Sequence, residues 1–314
     1  MRRFRIRLTL KRKKFIKKYL LKFTLLCLVV ISSFLFGVLA DKILILRSES
    51  TALNAVEENN KDLVSIQKKV IKKNYVFKIK WGDLGKRMVE DGVIDKAKLA
   101  QAITGTEELP RDLDKYFEDG QNKIEVNQGN AQFWVDVLWG LGLANKNRIL
   151  EEGAMTADGD ASNFASTGGW TLGANEDAMN YYSKHSYINL SEKQQKTVEE
   201  IAGNIYRPCC GNSTAFPDCN HGMAMLGLIE LMASQGFSQD EIYRAALAFN
   251  TYWFPETYLN TAYYFKTINR DYSKVTPKEI LSKTYSSGTG AGDIQKKVGI
   301  IQWFDSGSGG SCGA

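Results

Sequence analysis

Phe23-Thr24-Leu25-Leu26-Cys27-Leu28-Val29-Val30-Ile31-Ser32-Ser33-Phe34-Leu35-Phe36-Gly37-Val38-Leu39-Ala40 carries no charge, and it decides how the chain on either side is read. At about 1.5 Å per residue, this run nearly crosses a hydrocarbon layer of roughly 30 Å. Asp41 and Lys42 interrupt it, and Ile43 to Leu46 resume it. Lys42 and Arg47 can snorkel, which extends the usable span to Leu46. In front of it, residues 1–22 hold eleven Lys/Arg and no acid. The positive-inside rule then places residues 1–22 in the cytoplasm and everything after about residue 47 outside. The reading is an uncleaved signal anchor over residues 23–46, with the lipid bilayer as its partner. The alternative is a secreted chain after signal cleavage near Ala40, because Val38-Leu39-Ala40 has the small-residue pattern of a cleavage site. The basic flank serves orientation, and no nucleic-acid partner is expected.

The overall charge conceals this division. The 314 residues include 41 Lys/Arg and 35 Asp/Glu, a net +6. Without the eleven basic residues of the tail, 30 Lys/Arg face 35 Asp/Glu, so the rest of the chain is −5. With 44% hydrophobic and 24% charged residues, a packed core is expected and wholesale disorder is not. Five prolines and five cysteines exclude a collagen-like or mini-disulfide scaffold.

Beyond the span, residues 47–74 carry apolar positions at mostly helical spacing (Leu53, Val56, Leu63, Ile66, Val70), which predicts a helical stalk. Tyr75, Phe77, Ile79 and Trp81 then alternate with polar or smaller residues, the pattern of a short strand or an extended segment. Residues 104–128 read as a polar loop. A strong apolar helix is expected within 129–152, around Phe133, Trp134, Val137, Leu138 and Leu141. Ser191 with Gln194, and Ser238 with Glu241, are capping boxes. Helices are expected over 198–206, 221–235 and 240–252. The fold class is therefore mainly α: an N-terminal transmembrane helix, a helical stalk, and an irregular helical outer domain over 75–305 with a Cys/His loop. A Gly/Ser-rich tail over 306–314 carries Cys312.

Chemistry concentrates in one place. The chain has two histidines and five cysteines, and four of these seven residues fall between 209 and 221: Cys209, Cys210, Cys219 and His221. Two prolines and two glycines (Pro208, Pro217, Gly211, Gly222) punctuate residues 206–222, as in a structured loop between helices. Three thiols and an imidazole can fill a four-coordinate soft-metal site, for copper, zinc or iron, with Cys312 as a fifth candidate. Arg207, Asp218 and Asn220 are candidates to orient the ligands. Met225, one helical turn beyond His221, adds a thioether that suits Cu(I). The same cysteines support two other readings. One is a thiol–disulfide redox domain, with Arg207 supplying the positive charge. The other is a non-enzymatic interaction module with structural disulfides, whose aromatic run from Tyr252 to Phe265 forms a surface patch. His185 reads as a surface residue.

From Val198 to Phe254 the chain resembles the small three-helix thiol domain of cytochrome c maturation proteins. The likeness rests on Arg207 before Cys209-Cys210 at the end of a first helix, and on the step Gly236-Phe237-Ser238-Gln239-Asp240-Glu241-Ile242 into a third. Cys209 and Cys210 are adjacent where that family has Cys-x-x-Cys. The same step and the clustered cysteines are also similar to secreted proteins bearing a Pro-Cys-Tyr-Cys-Gly-Cys motif. The resemblance implies a helical thiol or metal site.

The topology is testable directly. Protease added outside intact cells is expected to degrade residues 48–314 and spare a tag placed ahead of residue 22. Protection of the 48–314 region reverses the orientation.

Overall fold

The computed structural model describes residues 2–157 and 159–304. They are mainly helical and fall into two compact units, residues 1–62 and 63–314. Helix α1 runs from Arg2 to Val70. Within it, Phe15–Arg47 is long and apolar enough to cross a membrane by length and composition. The last turns of α1 belong to the second unit, where Leu63, Ile66 and Val70 are buried.

In the second unit, strand β1 (Tyr75–Phe77) is followed by α2 (Leu84–Glu90), α3 (Lys96–Thr104) and strand β2 (Ile124–Val126). Next come α4 (Ala131–Ala144), α5 (Glu192–Asn204), α6 (Asn220–Ser234), α7 (Gln239–Trp253), α8 (Pro255–Thr267) and α9 (Gly288–Val298), with short turns between. β1 and β2 pair antiparallel, with Tyr75 opposite Val126. This corrects the expectation of a loop over 104–128. That stretch holds β2, one turn of helix at Arg111–Asp114 and a 3₁₀ turn at Lys115–Phe117. None of these is long enough to leave a periodic signature.

Helices α3, α5, α6, α7 and α9 start where the sequence supplies a side-chain cap. Ser191 and Gln194 bond reciprocally ahead of α5, as do Ser238 and Glu241 ahead of α7. Each pair satisfies two orphan donors of the first turn. Helix α4 is apolar apart from Gln132 and Asp136, and every residue of it except Gln132 is buried, as a central helix requires. Helix α6 is buried from Asn220 to Ala233. The two cross in close contact through glycines. A Cβ on Gly142 would lie 2.1 Å from the Met223 carbonyl oxygen, and one on Gly227 would lie 2.6 Å from that of Leu138. One end of the crossing is tied by a polar contact, Asn145 Nδ2 donating to Glu230 Oε2 at 2.9 Å. Burial pushes the Glu230 carboxyl well above its usual range, against the hydrogen bond from Asn145.

The aromatic run from Tyr252 to Phe265 does not form a surface patch. Tyr252, Trp253, Tyr258 and Phe265 are buried, and Phe254, Tyr263 and Tyr264 pack against the same core. Helical spacing turned these rings inward.

The glycine crossing sets a test. Gly142→Ala and Gly227→Ala force backbone apart from backbone. Each is expected to lower unfolding stability by roughly 1–3 kcal/mol. Gly203→Ala, on an exposed turn of α5 with nothing within 4 Å of the new methyl, is expected to gain up to about 1 kcal/mol. Denaturant unfolding of the full chain in detergent measures all three.

Candidate thiol centre

The segment from Ile205 to Cys219 joins α5 to α6 and folds back on itself. Tyr206 bridges Ser213, and Thr214 donates to the Ile205 carbonyl from its backbone N–H (2.9 Å) and its hydroxyl (3.1 Å). The loop is pinned from outside as well. Tyr206 N donates to Leu281 O at 2.8 Å, Ser166 N to Asp218 O at 3.1 Å, and Gly288 N, at the start of α9, to Cys210 O at 2.7 Å.

Its centre is Arg207, of which only 1% is exposed. A buried guanidinium must place its donors on acceptors. Nη1 donates to Asn212 O at 3.1 Å, and Nη2 donates to Phe216 O at 3.1 Å and to Asp218 Oδ1 at 2.6 Å. Nε donates to Cys219 Sγ at 3.0 Å. The guanidinium lies flat against the first turn of α6 because residue 222 is glycine. A Cβ there would fall 2.4 Å from the guanidinium carbon. Asp218 is fixed from its other oxygen by Asn212 Nδ2 at 2.8 Å.

Cys219 is the N-cap of α6, and its sulfur accepts from Gly222 N at 3.4 Å. Cys209 Sγ lies 3.4 Å from Cys219 Sγ, and Cys210 Sγ lies 3.6 Å from Asp218 Oδ1. The three sulfurs all lie within 4.8 Å of one another, and each residue is half-buried. Hydrogen bonds from Cys209 and Cys210 hold the Cys219 thiol well below its ordinary range. Burial opposes this, while the charge and the Nε–H of Arg207 add to it. Cys209 is pushed up by its hydrogen bonds to Cys210 and Cys219 and by burial. The sulfurs are therefore unequal, with Cys219 the one that faces the Arg207 cation. Burial works against the Arg207 charge, and the three cysteines, Cys219 foremost, together outweigh it.

The other expected site residues stand elsewhere. His221 is not in the close sulfur group. Its ring packs against Phe254 (centroids 4.5 Å apart) and Trp253 (5.6 Å), and neither nitrogen has a hydrogen-bond partner. Asn220 spends its side-chain oxygen on the His221 backbone N–H at 2.8 Å, and its Nδ2 is unpartnered. Met225 is buried in the core. Cys312 lies outside the described residues. His185 is partly exposed, with Nδ1 3.3 Å from Asp91 Oδ2 and its ring stacked on Tyr187. Sequence reasoning gave Arg207 a supporting place. It had no signal for the several loop contacts made by this one side chain, nor for the aromatic pocket around His221.

No protein family, curated protein or solved structure matches this chain. The chemistry is read from the geometry alone. A thiolate beside a thiol can exchange disulfides. Three sulfurs at this separation can also hold a soft metal ion, since sulfurs around tetrahedral zinc stand about 3.8 Å apart.

Burial holds the His221 imidazole down to about 4; the Cys219 sulfur pulls the other way and Arg207 adds to the depression. An unfolded histidine takes its proton near pH 6.5 and the folded one only near 4. The fold therefore loses stability as pH falls through that window, by up to roughly 2–3 kcal/mol. In His221→Phe this component is expected to vanish, so its unfolding free energy falls less between pH 6.5 and 4.5 than that of the parent. An unchanged slope removes His221 as the source.

Proposed function

We propose that this chain is a membrane-anchored, extracytoplasmic thiol–disulfide exchange protein, with Cys209 and Cys219 as the redox pair. The observation that carries the reading is the surroundings of one sulfur. Cys219 Sγ receives a charged N–H from Arg207 at 3.0 Å and a helix N-terminal N–H from Gly222, and a second thiol stands 3.4 Å away. Reactive cysteines are found in this setting: beside a cation, at a helix N-terminus and partly exposed. A structural bridge has no need of a thiolate. The apolar stretch of α1 supports attachment to a membrane, and the charge pattern of residues 1–22 puts the thiols on the oxidising side.

A soft-metal site on the same three sulfurs is the second reading, favoured by their mutual approach within 4.8 Å. Thiolates select Cu(I) and zinc over harder ions. Against it, the Cys219 sulfur already faces the protein's own cation, and the imidazole expected as fourth donor packs in an aromatic pocket.

The full chain, purified in detergent and treated with oxidised glutathione, decides between them. Peptide mapping without reductant is expected to recover a Cys209–Cys219 bridge that dithiothreitol opens and that Cys219→Ser abolishes, with metal far below one equivalent. One equivalent of copper or zinc, with all three thiols shielded from alkylation, favours the second reading and ends the first.

A further inference from the structure

Resting on that reading, we infer that the pair works as an oxidant: its disulfide is passed to a dithiol of a protein or peptide substrate, and the reduced form is the one the fold stabilises. The argument is a comparison of two states around one buried cation. In the reduced state the Arg207 Nε–H and the Gly222 N–H, 3.0 and 3.4 Å from Cys219 Sγ, favour its thiolate. In the oxidised state that sulfur is a neutral half of a disulfide. Arg207, 1% exposed, then keeps only Asp218 and two backbone carbonyls as acceptors. A guanidinium in the interior cannot turn to water for the missing anion. The loss falls on the disulfide side alone, so the disulfide is easily reduced. Stabilising the reduced form is what makes a thiol pair oxidising.

The same contact fixes the direction of attack. A substrate thiolate attacks Cys209 Sγ, and the Cys209–Cys219 bond breaks with its electron pair leaving on Cys219 Sγ, where Arg207 and Gly222 receive it. The lower the pKa of a leaving thiol, the faster it leaves. The second substrate thiolate then displaces Cys209 from the mixed disulfide, and Cys209 takes up a proton. The substrate loses two electrons and two protons. The pair gains two electrons and one proton, and the other proton passes to solvent. Cys210, whose sulfur is 3.6 Å from the Asp218 carboxylate, forms and breaks no bond in these steps.

Glutathione tests this on the full chain in detergent. Mixtures of reduced and oxidised glutathione set the poise, acid quenches exchange, and the Cys209–Cys219 peptide is quantified by mass. Below pH 7.5 glutathione stays a thiol, so reduction of the pair by two glutathiones releases one proton. The equilibrium constant for reduction is expected to rise with pH from 6 to 7.5, by up to about tenfold per unit. Arg207→Met is expected to lower it roughly 10–100-fold, the worth of one charge-assisted hydrogen bond and equal to about 30–60 mV. If Arg207→Met does not fold, the pH slope of the parent protein still decides. A constant that is flat with pH, or a bridge that millimolar glutathione does not open, overturns this inference and leaves the exchange reading intact. No bridge at any glutathione ratio overturns both.

Discussion

A guanidinium cut off from water organises this structure's functional loop. Arg207 has a backbone carbonyl on either side of the turn, a carboxylate and a sulfur as acceptors. Remove any one and a buried charge is left short of a partner, at a cost far above that of an ordinary hydrogen bond. The interior of the loop between α5 and α6 is therefore organised around one side chain, while backbone bonds to Leu281, Ser166 and Gly288 pin it from outside. The cysteines are brought together as a by-product of that shape. Cys219 is an acceptor of the cation, Asp218 is its salt-bridge partner, and Cys209 and Cys210 follow it in sequence.

The rest of the fold gives that arrangement a fixed base. Helix α6 begins at the site and runs, buried on all sides, past α4 at a crossing that only glycine permits. Two backbones in that contact cannot slide without a clash, so the first turn of α6 is located as firmly as the core. Cys219 and Gly222 sit on that turn. Gly222 repeats the logic of Gly142 and Gly227 on a smaller scale: a missing side chain lets a guanidinium, there rather than a second helix, lie against the backbone.

Much of this was legible in the sequence, and the failures are instructive. The apolar run from Phe23 and the capping boxes at Ser191 and Ser238 announced themselves, because spans and caps are local. The thiol cluster was legible because Cys209, Cys210 and Cys219 are crowded in a chain poor in such residues. His221 misled for a physical reason. It lies two positions beyond Cys219, which reads as ligand spacing in a loop. Once α6 begins at Asn220, two residues span roughly 200° of helix, so the ring leaves the face that carries the sulfur. The partnership of Glu230 with Asn145 is 85 residues apart, and no pattern in either helix points to the other. β2 was lost inside a polar stretch because three residues are too few to show alternation.

Helix α6 is capped by the same sulfur that would do the chemistry. A cap is ordinarily a serine or aspartate, inert once folded. In the proposed exchange the acceptor of the Gly222 amide would change its electron count, and a bond to Cys209 would redirect the lone pairs that receive that amide. The first turn of the helix would then tighten and fray with the oxidation state of the pair. The Gly222 amide proton, slower to exchange with deuterium in one state than in the other, would be an internal meter of the site, written in the backbone and readable without any substrate.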